Sequence, residues 1–74
     1  MAVAMHFLML AIGEILKQQS TVNAQNIQDY IQKDDAFGVR PPLADCRLAL
    51  QLMADSGFII RKTDTEYKRA ALYG

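Results

Sequence analysis

This 74-residue chain has one cysteine, one histidine, two prolines and four glycines, and its charges show no excess of either sign. The lone cysteine, Cys46, excludes an intramolecular disulfide and a Cys-rich zinc site, and fits a reducing, cytoplasmic setting. His6 stands alone in an apolar stretch with no spaced carboxylate or thiol beside it, so no metal site is expected and the residue reads as structural. No glycine-rich phosphate cradle and no nucleophile with an adjacent base is visible, which leaves no cofactor to expect and places catalysis last among the functions. Asp34 and Asp35 are neighbours in the chain rather than partners across a cleft, and they read as solvated loop carboxylates. The low glycine and proline content argues against collagen-like or low-complexity chains.

Long apolar runs are scarce too. Ala2 to Gly13 is apolar apart from His6, but no Lys or Arg precedes it and no cleavage motif follows. It is shorter than the roughly 20 residues a membrane span needs, so it reads as a buried helix and no membrane association is expected.

What is present suits one small folded domain covering residues 1–74, since a second core would need about 50 further residues. Half of the residues, 51%, are hydrophobic and 22% are charged. Eight basic and eight acidic residues cancel, which removes the strongly basic footprint of many nucleic-acid binders. The distribution is uneven. Up to Ala36, Lys17 and Lys33 face Glu14, Asp29, Asp34 and Asp35; beyond it, Arg40, Arg47, Arg61, Lys62, Lys68 and Arg69 outnumber Asp45, Asp55, Asp64 and Glu66. Four cations between Arg61 and Arg69 can form a local positive ridge.

Residues from about Ala2 to Gln18 favour helix, and their apolar side chains cover most of the circumference. Such a helix must be covered on more than one side, so a homodimer or another partner is expected. A second helix starts at Asn23, a capping residue flanked by Val22 and Ile27 as a hydrophobic staple, and Ala24, Ile27, Tyr30 and Ile31 share its apolar face. It frays through Asp34 to Phe37 ahead of a terminator at Gly38. Arg40 is driven toward extended backbone by Pro41, and Pro42 suits the first turn of a third helix that Gly57 ends. Its core face carries Leu43, Cys46, Leu50 and Met53. Phe58 to Ile60 favours strand. Propensity alone slightly prefers a final helix from Glu66 to Leu72, whereas a strand from Tyr67 follows if Phe58 to Lys62 takes a hairpin partner.

The segments TVNAQNIQDYI and LALQLMADSGFIIRK, with Leu50, Met53, Gly57, Phe58 and Ile60 spaced as at the join of a recognition helix and a first wing strand, resemble the winged helix-turn-helix superfamily. The resemblance implies an α+β, mainly α fold of three helices with a C-terminal β-hairpin wing. It also implies a dimeric, DNA-binding transcription regulator whose third helix enters the major groove of double-stranded DNA while the wing touches the backbone. Two features depart from that pattern. The stretch from Gln32 to Pro42 is longer than a helix-turn-helix turn, and Leu48 and Leu52 stand where polar or basic residues are usual, flanked by Asp45 and Asp55.

On the DNA reading, Arg47 and Gln51, one turn apart, contact bases, and Arg40, Arg61, Lys62, Lys68 and Arg69 hold phosphates. Solvation of the helix and strands is the competing role for each. The rival function is a protein-interaction adaptor or inhibitor module using Leu48, Leu52, Met5 and Met9, the methionines being part of a four-residue repeat that begins at Met1. Leu48 and Leu52 can equally pack under the first helix, and Cys46 reads as a core residue.

Overall fold

The computed structural model of the protein describes residues 4–34 and 38–70. Met1, the expected first turn at Ala2, residues 35–37 of the segment expected to fray, including Asp35, and Leu72 lie outside the described residues. The elements are α1 (Met5–Gln18), β1 (Thr21–Val22), α2 (Ala24–Asp34), α3 (Leu43–Asp55), β2 (Ile59–Arg61) and β3 (Tyr67–Arg69). The architecture is α+β, mainly α: three mutually packed helices with a C-terminal hairpin wing.

Among the described residues, helix α1 is covered on one side only. Leu8, Ala11, Ile12, Ile15 and Leu16 are buried, whereas Phe7 and Leu10 are 53% and 62% exposed. The expectation of a buried helix holding a structural histidine is therefore corrected. His6 is exposed, its ring 4.3 Å from that of Phe7. A 74-residue chain has too few partners to wrap a whole helix.

Helix α2 begins as its sequence dictates. Asn23 Oδ1 accepts from the Asn26 backbone N–H at 2.8 Å, and Asn26 Oδ1 accepts from the Asn23 N–H at 3.0 Å, a reciprocal capping box with asparagine at both ends. Val22 and Ile27 on either side are fully buried in one core cluster. Pro42 caps α3 from just outside it, one position earlier than expected, its carbonyl accepting from Asp45 and Cys46. Helix α3 closes in a Schellman motif: Phe58 N–H donates to Met53 and Gly57 N–H to Ala54, both at 3.0 Å, with Gly57 at φ +84°.

The sheet is antiparallel in the order β1-β3-β2. Beyond Gly57 the chain doubles back through a tight turn in which Lys62 and Thr63 N–H donate to the Glu66 carbonyl, and the Thr63 hydroxyl accepts from Glu66 N–H. Tyr67 to Arg69 is thus strand, and tertiary pairing overrides local helix propensity there. Thr21 and Val22 pair with Lys68 and Tyr67, which puts β3 in the middle. Leu8, Ile12, Val22, Ile27, Cys46 and Leu50 form the centre of the core, closed by Ile59 and Tyr67 from the sheet. Leu43, expected among them, is 37% exposed at the start of α3.

Candidate nucleic-acid interface

The outward face of α3 carries Ala44, Arg47, Leu48, Gln51, Leu52 and Asp55, all exposed. It is outward because Cys46, Ala49 and Leu50 turn the opposite side into the core. Between this helix, the start of α2 and the hairpin runs a groove of about 410 Å³. Arg47 and Gln51 line it from α3, Asn23 and Ala24 from α2, and Arg61, Asp64 and Thr65 from the wing, so one carboxylate shares the space with the two arginines. Asn23, Ala24 and Gln25 at the start of α2 line that space, and a helix start favours negative charge nearby.

Arg47 has no hydrogen-bond or ion-pair partner among the described residues and is free to reach outward. Gln51, the second expected base reader, donates through Nε2 to Asp55 Oδ1 at 2.8 Å along its own helix. That bond must exchange before Gln51 meets any ligand. Arg61 donates through Nη2 and Nε to Tyr67 Oη at 3.0 and 3.3 Å, and its guanidinium carbon sits 5.6 Å from the same ring. The hydrogen bond to Tyr67 raises the arginine above its ordinary value, so it stays cationic at any working pH. Tyr67 is buried, which anchors Arg61 at the groove wall.

Arg40 is placed differently from the expected phosphate contacts. Its Nη1 donates to Asp29 Oδ1 at 3.0 Å and Gln32 Oε1 at 2.6 Å, while Nη2 donates to Gln28 Oε1 at 3.0 Å. Three hydrogen bonds to α2 engage both terminal nitrogens of the guanidinium and tie Arg40 to that helix.

The wing cations do not form a single ridge. Lys68 pairs with Thr21 on one side and Ile60 on the other, so these three share a sheet face. Arg61 and Arg69 stand opposite Tyr67 and Ile59, on the face that meets the helices. Lys62 follows β2 into the turn. Lys62, Lys68 and Arg69 are exposed and have no side-chain partner among the described residues. Asp64 and Glu66 sit between them in the turn and dilute the positive field.

Of the residues expected at a protein interface, Leu48 and Leu52 are exposed at 49% and 38%, so neither packs under α1. Met5 and Met9 are half-buried and pack against the core; the exposed apolar residues of α1 are Phe7 and Leu10. Phe58 and Ile60 are exposed on the wing. The groove also draws in Asn23 and Thr65. Asn23 was legible as a cap, but nothing in the sequence marks Thr65 as a groove residue.

Cys46 is fully buried, and burial, followed by the nearby Asp45, raises its thiol above the ordinary range. Among the described residues no three His, Cys, Asp or Glu side chains converge on a metal position, and no helix is long and apolar enough to cross a membrane. No protein-family model, no curated protein and no solved structure matches the chain.

Proposed function

We propose that this chain binds double-stranded DNA as a small, non-catalytic transcriptional regulator acting in the cytoplasm. The observation that carries the reading is the groove in which an unpartnered Arg47, an anchored Arg61 and the start of α2 meet beside an outward-facing helix. Two arginines and the start of α2 outnumber the single Asp64 carboxylate around one concave space, which suits a phosphate backbone, and α3 alongside presents side chains to base edges.

In this reading Arg47 contacts a base, and Gln51 joins it by giving up its bond to Asp55. Arg61, Lys62, Lys68 and Arg69 neutralise phosphates. Arg40 holds the entrance of α3 against α2 and makes no phosphate contact. Titration of a labelled random duplex with the protein at increasing salt tests the reading. Affinity is expected to fall steeply as salt rises; no binding at low salt, or a flat response, contradicts it.

A second reading, a protein-interaction adaptor, is favoured by one specific observation. Leu48 and Leu52 lie one turn apart and exposed, with Asp45 and Asp55 on either side. Leu48→Ser with Leu52→Ser separates the two, because both side chains are outside the core and the fold is expected to survive. Loss of a protein partner with the fold intact supports the adaptor, whereas salt-dependent duplex affinity that survives both changes supports the DNA reading.

A further inference from the structure

We infer that α1 is the contact surface for a second copy of this chain, packed antiparallel about a two-fold axis that passes through Leu10. The inference is independent of the DNA reading. Its starting point is Gly13, an exposed glycine in the interior of α1. Glycine weakens a helix interior, and nothing among the described residues calls for it. Gly13 has no positive φ, and a Cβ added to it meets no atom of the described residues within 4 Å. The open notch lies on the solvent side, the side on which Phe7 and Leu10 are 53% and 62% exposed.

The spacing of these residues fits their own reverse. Viewed down the helix, His6, Phe7, Leu10, Gly13, Glu14 and Lys17 share one flank, opposite the buried flank of Leu8, Ala11, Ile12 and Ile15. A two-fold contact must be self-complementary. With Leu10 on the axis it meets its own copy, Phe7 falls on the other chain's Gly13, and His6 falls on the other chain's Glu14. The largest exposed ring of α1 thereby enters the notch, and an imidazole faces a carboxylate. Lys17 holds Glu14 Oε1 at 3.2 Å within the helix, which leaves Oε2 for His6. The His6 and Phe7 rings, 4.3 Å apart, already stand together on that flank. One helix pair covers less than the roughly 800 Å² per partner of a standard interface, so association in the micromolar range is expected.

Sedimentation velocity of the whole chain across the micromolar range tests the inference, together with cysteine cross-linking that reads the register. The wild type is expected to move reversibly from monomer to dimer. Gly13→Gln fills the notch with a better helix former; it is expected to abolish the dimer while raising the melting temperature of the monomer, so the loss is not unfolding. Leu10→Glu sets like charges on the axis and is expected to be monomeric. Under mild oxidation Leu10→Cys is expected to cross-link to itself. Phe7→Cys and Gly13→Cys are expected to cross-link to each other when mixed and far less when alone, with the fully buried Cys46 taking no part. A wild type that stays monomeric overturns the inference, as do variants that dimerise unchanged or a cross-linking pattern without this register.

Discussion

Gln28 and Arg40 tie the entrance of α3 to α2. Gln28 Oε1 accepts from Arg40 Nη2 at 3.0 Å while Gln28 Nε2 donates to the Pro41 carbonyl at 2.9 Å. Gln28 is the buried polar residue among those described, and both ends of its amide are satisfied. Arg40 and Pro41, the residues that lead into α3, are thereby tied to α2.

Gln28→Leu removes both bonds and leaves the Pro41 carbonyl without its donor. Urea denaturation is expected to show a loss of about 1–3 kcal/mol. Arg40→Ala is expected to lose about 1 kcal/mol, since its ion pair with Asp29 is partly exposed and screened. Arg40→Lys is expected to recover little of that loss, because a single ammonium does not reproduce the planar fork shared by Gln28, Asp29 and Gln32. Unchanged stability in Arg40→Ala contradicts the clamp.

The same substitution at two glycines is expected to have opposite signs. Gly57 ends α3 at φ +84°, where a Cβ is strained, and Gly57→Ala is expected to cost about 1–2 kcal/mol. Gly13→Ala, in a helix interior with open space around it, is expected to add about 0.5–1 kcal/mol to the monomer. Thermal unfolding at low protein concentration checks both.

Cys46 gives a pH dependence whose sign follows from its burial. Its thiol is raised in the folded chain, so as pH climbs past the ordinary thiol range the unfolded chain ionises first and the native state loses stability. Stability measured by denaturant is expected to fall on the alkaline side in the wild type and to fall less in Cys46→Ala. Labelling of the thiol at neutral pH is expected to be slow and to accelerate only as the protein unfolds. Rapid labelling of the folded chain contradicts this placement.

The sequence exposed those parts of the fold that depend on neighbours in the chain. Val22, Asn23 and Ile27 mark the start of α2, and Gly57 marks the end of α3, because caps and left-handed terminators act over a few residues. The hairpin after Gly57 was legible through the winged-helix resemblance, against a slight local preference for helix. Strand β1 was not, since two residues carry no periodicity and Thr21 and Val22 are strand only because β3 arrives beside them. Arg40 looked like a surface cation for the same reason. Its acceptors Gln28, Asp29 and Gln32 lie on one side of a helix 8 to 12 residues away, and only the tertiary fold brings them to it. At α1 the composition showed apolar residues all round, but which of them stay exposed depends on how much surface the other two helices can cover.

The most direct test of the proposed function is the salt slope of duplex DNA binding, measured for the wild type and for single alanine variants of Arg40, Arg47, Lys68 and Arg69. The account predicts a steep wild-type slope, a decrease of about one unit each for Lys68→Ala and Arg69→Ala, and no change for Arg40→Ala. Arg47→Ala is predicted to reduce discrimination between duplex sequences. A wild-type slope near zero, or wing variants that leave it unchanged, contradicts the assignment of α3 and the hairpin as a DNA-binding surface.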